Sequence, residues 1–190
     1  KTGFLLMFPA ICILWFAWAL GDLLRNDLYT GQYLAQTLIG GVPLLFFPAM
    51  FFVASSIISF AMGSSWGTVA IAIPIAIPMT INCAGLAAPV PLELLPILLP
   101  VLGAILSGAV LGDHISPISD TTIMSSTSTN CHHLDHVYTQ FMYIAPIYPS
   151  IIIGFIVAGA SCHYGTALCS GMALMAAASS ALLLMWLAST

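Results

Sequence analysis

Two stretches of this chain, Leu28 to Leu92 and Val137 to Thr190, contain no Asp, Glu, Lys or Arg. Each is long enough for more than one crossing of a ~30 Å hydrocarbon core, which takes ~20 apolar residues in a helix. A bilayer offers no water to an open backbone, so such a chain pairs its N–H and C=O groups internally and an all-α membrane fold follows. The composition agrees: of 190 residues 4% are charged and 61% hydrophobic, with a mean hydropathy of +1.10. Lys1 and Arg25 stand against six acids, which leaves no basic patch for phosphates and argues against a nucleic-acid partner. Cys12, Cys83, Cys131, Cys162 and Cys169 are scattered without a C-x-x-C spacing, so they read as small apolar helix residues and not as a disulfide framework or zinc site.

Phe4 to Leu20 reads as a first span, closed by Gly21 and the cluster Asp22, Arg25, Asn26 and Asp27 at a membrane surface. Its apolar run resembles a signal peptide, but the rest of the chain is equally able to insert. Leu28 to Ile39 is shorter and mixed, with Tyr29 and Tyr33 suited to the headgroup level, and fits an interfacial helix. Val42 to Met62 is apolar, meets Gly63-Ser64-Ser65-Trp66-Gly67-Thr68, and is followed by apolar Val69 to Ile81 with Pro74 and Pro78. Either this stretch crosses twice, or it forms a re-entrant helical hairpin whose tip stops inside the membrane. The shortness of Val69 to Ile81 favours the hairpin, since a full span takes ~17 residues or more.

Leu94 to Leu111 reads as a further span that runs into Gly112-Asp113-His114-Ile115-Ser116-Pro117-Ile118-Ser119-Asp120. Proline lacks an N–H and clashes with the carbonyl four residues back, so a broken helix is expected, stopping near Gly112 and restarting at Pro117 with Ser116 as N-cap. Phe141 to Ala160 and Ala167 to Leu187 supply two last spans. The expected architecture is about four transmembrane helices plus a re-entrant hairpin and a broken helix. Residues 1–190 read as a single transmembrane domain with no soluble portion or linker, and the absence of an initiator Met suggests a fragment of a longer protein.

Between Asp113 and His136 lie three carboxylates, four histidines and nine hydroxyl residues, directly after an apolar span. Ionisable groups at membrane depth cost roughly 2.5 to 3.5 kcal/mol each and usually line an ion or substrate path. A broken helix adds free carbonyls at one end and N–H groups at the other. Asp113, Ser116, Ser119, Asp120 and Thr121, with the Gly112 and Asp113 carbonyls, offer oxygen ligands suited to a hard cation such as Na⁺. Burial disfavours the charged form of a carboxylate, so such a site can exchange a proton for a metal ion. Asp113, at the end of one half-helix, is the expected proton-exchanging group. Asp120, in the first turn of the next, is the expected ligand. The alternative is that Asp113 and Asp120 cap a loop at the water surface and that Ser64, Ser65 and Thr68 form an ordinary turn.

His114 and His136 are candidate pH sensors, because histidine titrates in the physiological range. His132, His133, Asp135 and His136 have spacings compatible with metal ligands, but no second ligand cluster accompanies them, and no resident metal or cofactor is expected beyond transported Na⁺ and H⁺. Trp15, Trp18, Trp66 and Trp186 read as packing or interface anchors. No nucleophilic triad, phosphate loop or zincin motif stands out, so the chain does not read as an enzyme.

The run from Gly112-Asp113-His114 through Ser116-Pro117-Ile118-Ser119-Asp120-Thr121-Thr122-Ile123 to Ser125-Ser126 resembles the signature of the NhaC-type Na⁺/H⁺ antiporter family. Asp135-His136-Val137, Thr139-Gln140, Gly63 to Thr68, Pro74 to Pro78 and Trp18-Ala19-Leu20-Gly21 extend the resemblance in the family's order, as its C-terminal half. Departures are Ser64 where Thr is usual, no glycine in Ser128 to Asn130, and no acid at His132 or His133. The resemblance implies one half of an inverted-repeat transporter of the ion-transporter superfamily, multi-pass in a bacterial plasma (inner) membrane. The implied partners are the bilayer and an absent N-terminal half, and a homodimer is compatible. It implies Na⁺ (or Li⁺) exchange for protons at Asp113 and Asp120, with Ser64, Ser65, Thr68, Ser116, Ser119 and Thr121 as supporting oxygens. The alternatives are a cation-coupled organic-anion exchanger of the malate/lactate type and, less suited to proline-broken segments, an ion channel.

Overall fold

A computed structural model describes residues 42–86 and 96–189, with isolated positions at 15, 16, 19, 22, 23, 26–29 and 33. The expected span Phe4 to Leu20 and the interfacial segment Leu28 to Ile39 lie largely outside the described residues. Those that are described form helices α1 (Phe47–Met62), α2 (Ser65–Cys83), α3 (Leu98–Ile115), α4 (Asp120–Ser128), α5 (His133–Ser161) and α6 (Thr166–Ser189), with no strand among them. Five stretches, Leu44–Met62, Ser65–Cys83, Leu98–Ile115, His133–Tyr164 and Ala167–Trp186, are long and apolar enough to cross a membrane.

The α1–α2 hairpin is set by three residues. Pro48 sits in the first turn of α1, where its fixed φ is already helical. Gly63 ends α1 at φ 64°, the left-handed region, and its N–H donates to Ser59 O at 2.8 Å. Ser64 is the N-cap of α2, its Oγ accepting from Gly67 N at 3.2 Å. Because that cap starts the helix at Ser65, and α2 continues through Pro74 and Pro78 to Cys83, the return arm has 19 residues. The apolar run Val69 to Ile81 therefore understates it, and shortness is no ground for a tip that stops within the membrane.

The break after α3 also differs in its boundaries from the sequence expectation. Helix α3 continues past Gly112 to Ile115, and α4 begins at Asp120 rather than Pro117. Pro117 forces the residue before it out of the helical region, and Ser116 accordingly has ψ 126°. Ser116 to Ser119 then make one tight turn, closed by Ser119 N to Ser116 O at 3.3 Å, with Pro117 at the second position that suits its φ. The helix restarts where a second serine caps it: Ser119 Oγ accepts from Thr121 N at 3.2 Å. Helix α4 ends with Asn130 at φ 52°, a conformation asparagine tolerates better than most residues.

Helix α3 packs on α1 through Gly108 and Gly112, spaced four apart on one face. A Cβ at Gly108 would overlap Phe52 O and Ser55 Oγ, and one at Gly112 would overlap Ser56 O. Small residues at this spacing let membrane helices approach backbone to backbone, where van der Waals contact and hydrogen bonds replace the hydrophobic effect. Ser59 Oγ donates across this seam to Ala109 O. Helix α5 is tied to α1 by Ser56 Oγ and the Tyr148 hydroxyl at 2.8 Å, and by Phe52 stacked between Tyr148 and Phe155 at centroid distances of 5.4 and 5.3 Å. Helix α6 packs on α5, with Ala177 and the Ala173 carbonyl at Gly154. Trp15, Trp66 and Trp186 are exposed, as interface or lipid-facing anchors would be.

Candidate functional site

The polar end of α3 folds onto the start of α4. Asp113 is 8% exposed, and both its carboxylate oxygens are held: Ser119 Oγ donates to Oδ1 and Thr121 Oγ1 donates to Oδ2, each at 2.8 Å. The two hydroxyls also lie 2.7 Å from each other. Thr122, likewise buried, directs its hydroxyl to the Asp113 and His114 carbonyls, 3.3 Å from each. The Asp113 carbonyl accepts from Ser116 N as well, at 3.2 Å, so two donors of the chain already engage it.

Asp113, Ser119 and Thr121 thus make three oxygen–oxygen contacts, whereas the two hydroxyls supply two protons. With Asp113 ionised, both hydroxyl protons point at the carboxylate and the Ser119–Thr121 contact has none. A proton on Asp113 closes the ring: the acid donates to Thr121 Oγ1, Thr121 to Ser119 Oγ, and Ser119 back to the other carboxylate oxygen. A small cation in place of that proton would leave the hydroxyl lone pairs and the carboxylate free to ligate it, an all-oxygen set suited to a hard ion.

The other expected site residues are placed as follows. Ser116 is fully buried and donates to Phe60 O on α1 at 2.7 Å, so it anchors the turn rather than facing Asp113. Asp120 opens α4 and is exposed. Ser64 caps α2, and Thr68, fully buried, donates to Ser64 O at 2.9 Å. Ser65, half-buried, is the first residue of α2. The hairpin tip nonetheless adjoins the break: a Cβ on Gly63 would come within 2.9 Å of the Ile118 backbone. His114 is exposed, with Nε2 2.7 Å from Gln140 Oε1, and His136 is half-buried on α5.

Two features escaped the sequence reading. The Gly108–Gly112 pair has a recognisable four-residue spacing and could have been found. His133 joins α5 to both Pro117 O, at 2.7 Å, and Ser126 Oγ, at 3.0 Å, and nothing in a one-dimensional pattern brings those together. Among the described residues no cluster of three or more His, Cys, Asp or Glu could hold a metal ion, and His132 instead lies 3.7 Å from Asp135.

Residues 1–160 match the model of the Na⁺/H⁺ antiporter family. An uncharacterized protein of Haemophilus influenzae is 44% identical over 158 residues, covering 83% of this chain and 28% of that protein. The malate-2H⁺/Na⁺-lactate antiporter of Bacillus subtilis is 37% identical over 141 residues, 68% of this chain and 28% of the relative. The arginine/ornithine antiporter ArcD of Halobacterium salinarum is 37% identical over 98 residues, 50% of this chain and 18% of the relative. The chain therefore spans less than a third of the length of these curated relatives. No solved structure matches it significantly.

Proposed function

The chain belongs to the Na⁺/H⁺ antiporter family, and from that premise we propose that it is part of a secondary antiporter exchanging Na⁺, or Li⁺, for protons across a bacterial inner membrane. The carrying observation is the proton count at Asp113: three short oxygen contacts, two hydroxyl protons, and a buried carboxylate. A proton or a small cation completes the set, but the two compete for the same carboxylate lone pairs. Competition of that kind couples the two flows when access alternates between the sides. Ser119 and Thr121 act as the hydroxyl ligands. Ser116, Ser64, Ser65 and Thr68 act at one remove, by fixing the turn and the hairpin tip against it.

A second reading, cation-coupled exchange of an organic solute, is favoured by two relatives, one named for malate and lactate and the other for arginine and ornithine. The same carboxylate would then serve as the coupling site, with the solute bound elsewhere. Proteoliposomes of the full-length protein separate the two. A preset ΔpH is followed while Na⁺, Li⁺ or K⁺ is added, first alone and then with malate, lactate, arginine or ornithine. Collapse by Na⁺ or Li⁺ alone supports the first reading, and a requirement for an organic solute supports the second. No coupled ΔpH change under any condition rejects both.

A further inference from the structure

The turn that presents Ser119 to Asp113 is short, and its own closing bond, Ser119 N to Ser116 O, is 3.3 Å long. It is held from outside on two sides. On one, Ser116 Oγ donates to Phe60 O at 2.7 Å. On the other stands His133, at the start of α5, with Nε2 2.7 Å from Pro117 O and Nδ1 3.0 Å from Ser126 Oγ. A carbonyl only accepts, so Nε2 carries a proton. Ser126 is 1% exposed and has a single hydroxyl proton, with Ile123 O a second neighbour at 2.9 Å.

These three contacts are satisfied differently by the two forms of the ring. In neutral imidazole Nδ1 must accept the Ser126 proton, and the contact with Ile123 O is lost. In imidazolium both nitrogens donate, Ser126 accepts from Nδ1 and donates to Ile123 O, and no contact lacks a proton. Charge assistance also makes the bonds from imidazolium roughly twice as strong as neutral ones. On the elements around it the titratable groups are Asp113 and His114 of α3 and Asp120 of α4, with His132, Asp135 and His136 beside it in sequence. Of these, His114 is engaged with Gln140, and His132 lies by Asp135.

We propose that His133 is a proton-dependent positioning residue, a latch that when protonated ties α4 and α5 to Pro117 through charge-assisted bonds and holds Ser119 against Asp113, and when neutral keeps the Nε2 bond to Pro117 O but holds that turn more weakly. Acid thereby favours the proton-loaded shape of the site, and alkali releases the turn toward cation exchange. The latch is independent of which cargo the protein carries, so its test needs no transport assay.

Amide hydrogen exchange over residues 116–126 of the full-length protein, corrected for intrinsic rates, is compared at pH 5.5 and 8.5. Protection of the turn should fall by about threefold to tenfold at the higher pH, the range that one hydrogen bond gives. His133→Gln, which keeps a donor for Pro117 O but cannot titrate, should abolish that difference. Ser126→Ala should reduce it, and His114→Gln and His136→Gln should leave it intact. Turn protection indifferent to pH in the native protein, or an unchanged difference in His133→Gln, overturns the proposal. Should His133→Gln fail to fold, an unchanged difference in Ser126→Ala overturns it equally, as does loss of the difference in His114→Gln or His136→Gln alone.

Discussion

The chain reverses at two serine-rich turns that touch each other, Gly63–Ser64 and Ser116–Ser119, and they use the same hydroxyl chemistry to opposite ends. At the first, the hydroxyls engage backbone: Ser64 caps Gly67 N, and Thr68 returns to Ser64 O. At the second, Ser119 still caps its helix through Thr121 N, but its proton goes to Asp113, and Thr121 directs its own there too. The difference lies in the buried carboxylate. A hydroxyl satisfied by backbone has one donor arrangement, whereas hydroxyls bonded to a titratable group rearrange their protons when that group gains or loses one.

The two turns should differ most at Asp113. Asp113→Asn retains groups that can bond Ser119 and Thr121, so the fold should persist, but the amide cannot release a proton. Coupled H⁺ movement in proteoliposomes should fall to background, and full coupled exchange in that variant would remove Asp113 from the mechanism. A smaller effect separates the two turns directly. Ser119→Ala removes a hydrogen bond to a charged group, worth about 1.5 to 3 kcal/mol, and should weaken apparent Na⁺ affinity by about tenfold or more. Ser64→Ala removes only a cap, and should cost about 1 kcal/mol of stability while changing apparent Na⁺ affinity less than about twofold. Equal losses of affinity in the two variants would mean that the hairpin tip is also part of the site.

Much of this was legible in the sequence because a bilayer leaves a chain few options. Charge-free runs gave the helices, and Pro117 among serines gave the break. The errors were local. Pro117 announces that a helix ends, but the restart waits one tight turn, Ser116 to Ser119, which Ser116 anchors to Phe60 O across the α1 seam. The 19-residue α2 was underestimated because serine, tryptophan and glycine look like a loop until Ser64 is seen to cap them. At the site, Asp113, Ser119 and Thr121 are near in sequence and were found together. His133 was noticed only for its spacing to His132, Asp135 and His136, since its partners Pro117 and Ser126 come together only when α5 folds back.

The smallest effect belongs to Asp120, which the sequence offers as the cation ligand beside a proton-exchanging Asp113 and which the structure places apart from that carboxylate's hydroxyl partners. Asp113 is buried with both oxygens held by hydroxyls, while Asp120 is exposed on the first turn of α4. There a negative charge complements the positive end of the helix dipole, typically worth about 0.3 to 1 kcal/mol. That stabilises α4, and through α4 the position of Thr121, without requiring Asp120 to touch the cation. Asp120→Asn should therefore weaken Na⁺ affinity by only about twofold to fivefold, in keeping with that energy. It should still release protons on Na⁺ addition in detergent, as the proposed mechanism requires of the native protein, whereas Asp113→Asn should not. If Asp120→Asn loses proton release and Asp113→Asn keeps it, the exchanging carboxylate is the exposed one and the proton count at Asp113 describes only a structural cap.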